Sequence, residues 1–248
     1  MATNTAYPLA TAPLSRPAAR SARELRSLAT DAARDLEGAS PRAILRWAAE
    51  TFGSGFCVTS SMSDGVLASL AADAVPGVDV LFVDTGYHFV ETLGTRDAIA
   101  ATLPVHVVTL APQTSVRQQD EELGRNLWAV DPDRCCALRK VQPLRAGLSP
   151  YVAWASGLRR DQSPHRAGIP VVRWDESNGQ VAVAPLATWT RRDVDEYVDG
   201  HQVLVNPLRL DGYPSIGCWP CTRRAVPGED DRSGRWPGFD KSECGIHS

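Results

Sequence analysis

No stretch of this chain approaches the about 18–20 consecutive apolar residues that a membrane-spanning helix requires, so no membrane partner is expected. Neither sign of charge dominates: 26 Lys and Arg stand against 29 Asp and Glu, a formal net charge of −3. That balance argues against a bulk nucleic-acid binder and leaves room for a local basic pocket. No Walker lysine follows a glycine-rich loop, which excludes an ordinary P-loop. No internal repeat is visible, which excludes a solenoid. The opening "MATNTAYPLATAPLSRPAARSAR" has three arginines, no acid and no apolar core of a secretion signal. Its composition predicts a disordered tail over residues 1–20; an organelle transit peptide is the weaker reading. A cytoplasmic protein is the expectation, and there thiols stay reduced.

What is present is the make-up of a soluble globular protein, 248 residues with 43% hydrophobic and 22% charged, enough for one large domain or two small ones. "SPRAILRWAAETFG" reads as a helix with Ser40 as N-cap, Pro41 at its first position and Gly53 beyond its end. "GFCVTS" and "VDVLFVDTG" read as short buried strands, "VHVVTL" as another, with helical stretches between and after them. Strands alternating with helices at this spacing predict an α/β fold with a parallel twisted sheet flanked by helices. The expected division is an α/β domain over 21–205 and an irregular, mobile segment over 206–248, rich in Gly, Pro and Arg.

Ligands of such sheets bind beyond the carboxyl ends of the strands. Three tips qualify: "TSSMSD" (59–64), "DTGYH" (84–88) and "SGLRRDQS" (156–163). The serine turn joins a strand to a helix, where hydroxyls and free backbone N–H groups can hold an anion. Such serines are also ordinary helix caps. Arg159 and Arg160 follow the apolar run "YVAWA", and guanidinium forks suit phosphate and sulfate; the alternative is a solvated charge run.

Six cysteines in a reducing compartment point to metal or redox chemistry more than to disulfides. "CCALRK" carries the adjacent pair Cys135 and Cys136, a poor disulfide geometry. "GCWPC" carries Cys218 and Cys221, a good metal clamp. Four thiolates can hold zinc or a 4Fe–4S cluster, and spacing by itself favours zinc. Lys140, four residues after Cys136, shares its face on a helix and can offset thiolate charge; otherwise it faces solvent. Cys57 lies in an apolar strand and reads as core. Cys244 alone remains on a polar segment, where a nucleophile can visit two partners in turn.

Taken together, the serine turn, "DTGYHFVET", "CCALRK", "SGLRRDQS", "GYPSIGCWPCT", "SGRW" and the terminal "ECGIH" resemble, in order, the assimilatory adenylyl-sulfate reductases of the iron–sulfur type, relatives of phosphoadenylyl-sulfate reductase. The resemblance runs from about Glu50 to the end. It implies an adenine nucleotide α-hydrolase-like (PP-loop) fold. It implies a 4Fe–4S cluster on Cys135, Cys136, Cys218 and Cys221, with Lys140 nearby, reversing the preference for zinc. It implies that Ser60, Ser61, Asp84, Thr85, Gly86 and Arg159, with Arg232, Arg235 and His247, surround a nucleotide and its sulfate. The loop "SSMSD" departs from the glycine-bearing phosphate loops of relatives, which puts its phosphate contacts in question.

The implied reaction takes adenosine 5′-phosphosulfate to sulfite and AMP. Cys244 attacks the sulfuryl sulfur, and thioredoxin then releases sulfite from the S-sulfocysteine. The alternatives are use of the 3′-phosphorylated substrate, an ATP-activating tRNA-thiolation enzyme on the same fold, and a redox- or iron-sensing protein without turnover.

Overall fold

The computed structural model describes residues 19–226, 228, 231–241 and 243–246. Most of the expected N-terminal tail, and His247, lie outside the described residues.

Local signals set the first elements. Ser21 and Glu24 form a reciprocal capping box that starts α1 (Ala22–Asp35). Ser40 caps α2 (Pro41–Phe52), Pro41 opens it, and Gly53 ends it at φ 52°, as the sequence predicts. Then follow β1 (Phe56–Thr59), α3 (Val66–Ala74), β2 (Asp79–Val83), α4 (Val90–Thr102), β3 (His106–Leu110) and α5 (Val116–Leu123). The short helices α6 (Leu127–Val130) and α7 (Pro132–Cys136) lead into one π-helical stretch, Ala137–Val141, and then α8 (Gln142–Leu148). The chain continues through β4 (Ala153–Ala155), β5 (Val172–Asp175), β6 (Gln180–Val183) and α9 (Arg191–His201).

The six strands lie in the order β3-β2-β1-β4-β6-β5. All neighbours are parallel except β5, which runs antiparallel to β6. The β5–β6 hairpin is the one part of the sheet that the sequence reading missed. Its turn is "ESNG": Asp175 Oδ1 accepts the N–H groups of Ser177 and Asn178, and Gly179 takes φ 66°.

Side chains alternate across the sheet with the period of two that strands impose. Val58, Val80, Phe82, Ala155 and Val183 pack into a large core with α1, α2 and α3. Cys57, Leu81, Trp154 and Ala182 point to the opposite face, against Leu144 and Leu148 of α8. Cys57 is therefore core, fully buried, and its thiol is pushed up by that burial.

Strand order reverses direction between β1 and β4. Successive strands β1, β2 and β3 step one way, and β4 and β6 step the other. At such a switch point the loops leaving adjacent strands part and open a crevice. Beyond α9 the chain is irregular and returns over this edge. Val205 bridges Asp64, and the fully buried Asn206 donates to Met62 O at 3.2 Å and to Thr92 Oγ1 at 3.0 Å. These bonds tie the segment to the serine turn, where Met62 itself sits at φ 56°. Farther on, Thr222 bridges Arg235, and Trp236 is buried at 2% exposure.

Candidate active site

A cleft of about 280 Å³ occupies the switch point. The loop after β1 contributes Ser60, Ser61 and Ser63, and the loop after β4 contributes Ser156, Gly157 and Arg159. Thr85, Lys140, Arg232, Arg235 and Cys244 line the same space. Residues from six separate sequence motifs thus converge, as the switch-point argument requires.

Two of the expected contacts stand elsewhere. Asp84 and Gly86 do not line the cleft. Asp84 Oδ1 accepts the Gly86 N–H at 2.9 Å, and its other oxygen is 3.8 Å from Arg96. Gly86 sits at φ 75°, and a Cβ there would lie 3.1 Å from Arg139 Nη2. These two residues shape the turn that presents Thr85. Arg160 also turns away, pairing with Glu37 through both guanidinium arms.

The cations beside Cys244 are held in a graded way. Arg159 Nε donates to Asp161 at 2.9 Å. Arg166 grips Glu243 with two hydrogen bonds, at 2.8 and 2.6 Å, and Arg232 reaches the same carboxylate at 3.3 Å. Arg235 donates to Ser215 Oγ at 3.2 Å and lies over the Trp236 ring, 4.6 Å from its centroid. Burial, then the charge of Arg235, pushes the Arg232 guanidinium down to about 10, with Glu243 acting the other way. Among the described residues, Asp161 and Glu243 pair with Arg159, Arg166 and Arg232, and this arrangement of cations suits an anionic ligand.

Behind this cleft Cys135, Cys136, Cys218 and Cys221 line one small closed cavity, each 8% exposed or less. Lys140 lines both spaces. It is carried by the π-helical stretch that follows the cysteine pair, rather than by an ordinary helix; such stretches recur at functional sites. Burial opposes its charge, but Cys218, Cys244 and Cys136 outweigh that and raise its pKa. Burial, reinforced by neighbouring sulfurs, pushes Cys135 up to about 12 and Cys221 up to about 11, while Lys140 pulls the other way. Thr85 links the two spaces, its hydroxyl 3.3 Å from Cys218 Sγ. Cys244 packs against the cluster of Cys136, Cys221 and Trp236.

Among the described residues, no three His, Cys, Asp or Glu side chains are arranged to grip a single metal ion. The donor set is nevertheless wholly sulfur, buried, and flanked by a cation. That chemistry fits a polynuclear iron–sulfur group, whose irons space their thiolates more widely than one zinc ion does.

The family model described as the phosphoadenosine phosphosulfate reductase domain matches residues 56–224, most of the chain. The chain belongs to that family. Among its relatives, the adenosine 5′-phosphosulfate reductase of Streptomyces coelicolor is 59% identical over 228 residues, covering 92% of this chain and 97% of that one. The enzyme of the same name from Mycolicibacterium smegmatis is 53% identical over 224 residues, covering 90% and 95%. A phosphoadenylyl-sulfate reductase structure from Candida auris, a phosphate complex, superposes with TM-score 0.67 at 28% identity, covering 80% of this chain and 97% of that one. An FMN adenylyltransferase from Candida glabrata, at TM-score 0.54 and 11% identity over 81% of this chain and 74% of its own, shares the fold alone. The expected PP-loop nucleotide-binding fold is thereby established.

Several residues of this site escaped the sequence reading. Arg166 sits seven residues after Arg159, but the stretch between them holds only two short 3-10 turns, so no periodic pattern puts the two side chains together. Glu243 precedes the flagged Cys244 but carries no motif of its own chemistry. Arg139, within "CCALRK", is buried at 3% exposure, with Nη1 3.2 Å from both Thr114 O and Gln119 Oε1 and its plane over Tyr87. It also donates to Thr85 O, and so holds the turn that bears Thr85.

Proposed function

We propose that the protein reduces adenosine 5′-phosphosulfate to sulfite and AMP, with a dithiol protein of the thioredoxin type as reductant, in the reductive assimilation of sulfate. The observation that carries this reading is the placement of the Cys244 thiol in the same cleft as Lys140, Arg159, Arg166, Arg232 and Arg235. A soft nucleophile among hard cations suits an anionic electrophile at sulfur. Membership of the family and the names of the relatives support the same substrate class.

In the first step the Cys244 thiolate attacks the sulfuryl sulfur. A sulfur–sulfur bond forms, and the bond from sulfur to the bridging oxygen breaks. AMP leaves with that electron pair, neutralised by the arginines. In the second step a thiolate of the dithiol partner attacks Cys244 Sγ, and sulfite leaves with the electron pair of the sulfur–sulfur bond. The partner's second thiol then resolves the mixed disulfide and restores Cys244. The dithiol supplies both electrons. The substrate contacts proposed for Ser60, Ser61, Thr85, Arg159, Arg232 and Arg235 all lie on this cleft. Asp84 and Gly86 act through the Thr85 turn, and His247 is proposed as a further anion contact from the tail.

Cys135, Cys136, Cys218 and Cys221 would hold a 4Fe–4S cluster, which when bound adds a buried charge beside Lys140 and cross-links α7 to the C-terminal segment. The electron count above closes without it. Six free cysteines suit a reducing cytoplasm. Among the described residues no helix is long and apolar enough to cross a membrane.

Sulfite release from adenosine 5′-phosphosulfate with reduced thioredoxin tests the proposal. Stoichiometric AMP and sulfite are expected. Turnover of ATP into an adenylated product in place of sulfite would replace this reading with the thiolation alternative.

A further inference from the structure

The serine turn bends without a glycine at its centre. Met62 takes φ 56°, in the left-handed region that glycine enters freely and a long side chain enters at a cost. Its side chain is fully buried in the large core, which accounts for a methionine at this position and leaves the strained backbone to be held by something else. Inside the turn itself, the Met62 N–H donates to Ser60 Oγ at 3.2 Å. The Met62 carbonyl is held from outside it.

That hold comes from the segment after α9. Leu204 O accepts the Gly65 N–H at 2.8 Å, Val205 bridges Asp64, and the Asn206 N–H donates to Ser63 O at 3.2 Å. Pro207 follows Asn206 and keeps it extended, at φ −64° and ψ 126°. Asn206 Oδ1 caps the 3-10 turn Pro207–Arg209 by accepting the Leu208 N–H at 3.1 Å. Capping occupies the oxygen, so the NH₂ end of the carboxamide faces the serine turn. One of its hydrogens goes to Met62 O at 3.2 Å and the other to Thr92 Oγ1, on α4, at 3.0 Å. The carboxamide is fully buried, so water does not compete for these bonds.

We infer that Asn206 is a positioning residue for the anion site: from 144 residues away it supplies the conformational hold that a glycine in the turn would supply locally. Ser60, Ser61 and Ser63 stand on both sides of Met62 and line the cleft. Released from Asn206, Met62 relaxes toward negative φ, and the serines lose their common orientation toward the cleft. The inference rests on the proposal that Ser60 and Ser61 contact the substrate. Thr92 anchors the carboxamide from the other side.

AMP binding to the full chain, measured by titration calorimetry, tests it in a double-mutant cycle of Asn206→Ala and Met62→Gly. Asn206→Ala is expected to weaken AMP binding about tenfold, the scale of the hydrogen bonds it removes. Glycine adopts the left-handed backbone unaided, so on the Met62→Gly background the same change is expected to cost less than about threefold. Equal losses on the two backgrounds mark Asn206 as merely structural and overturn the inference while leaving the proposed function intact. A wild type that does not bind AMP overturns both. Should Met62→Gly fold poorly because of the cavity it opens, Met62→Asn takes its place in the cycle with the same two outcomes, since asparagine also enters the left-handed region readily and leaves less empty space.

Discussion

Arg166 and Glu243 meet through two near-parallel hydrogen bonds, Nε to Oε1 at 2.8 Å and Nη2 to Oε2 at 2.6 Å, and the residue after Glu243 is Cys244. The fork fixes the carboxylate in direction as well as distance, and so fixes where the C-terminal segment enters the cleft. Arg166 reaches across 77 residues to do this, with its side chain 12% exposed.

Glu243→Gln should therefore lower kcat about tenfold, the scale of one lost charge-assisted bond. Substrate affinity should hold or improve, because the variant leaves Arg166 and Arg232 with more positive charge for an anion. Steady-state kinetics separate the two effects. A raised KM with unchanged kcat would show that Glu243 does not position the thiol.

Cys244→Ser should bind nucleotide as the wild type does and release no sulfite, because a serine hydroxyl is scarcely ionised at neutral pH. Wild-type protein given substrate without reductant should release about one equivalent of AMP per site and gain one SO₃ group on its C-terminal peptide. Mass spectrometry checks this. An adduct on another cysteine would remove Cys244 from the mechanism.

Gly217→Ala should displace Arg235 while sparing the fold. A Cβ at Gly217 would fall 2.2 Å from Arg235 Nη2, the far end of a flexible side chain. The guanidinium moves, the backbone does not, and KM should rise about tenfold, as for loss of one charged contact. Thermal unfolding should change little. Unchanged KM would place the substrate away from Arg235.

The cysteine cavity makes metal and pH act together. In metal-free protein burial holds the Cys135 and Cys221 thiols neutral, pushed up to about 12 and about 11. Stability from these raised values is full below the ordinary thiol pKa and is lost as pH rises through 11 and 12. Bound metal holds thiolates, so loaded protein should escape that loss. Denaturation of loaded and chelator-stripped protein at pH 7.5 and 10 should show a gap that widens with pH. Cys135→Ser should lose iron and colour. A colourless wild type carrying one zinc would identify a single-ion site instead.

The sequence by itself determined whatever depends on local chemistry. Periodicity and caps placed β1 to β3 and α2, because helix ends and strand alternation are written in neighbouring residues. Residue type and motif order singled out the cysteine pairs, the serine turn and Cys244. Tertiary structure decided what depends on distant partners. Where an arginine points cannot be read along the chain: Arg159 and Arg160 are adjacent, yet one lines the cleft beside Asp161 and the other turns away to grip Glu37. Asp64 and Arg209, 145 residues apart, neutralise each other only because the segment after α9 folds back over the serine turn. Coulomb energy depends on distance in space and on burial, and neither is a property of sequence separation.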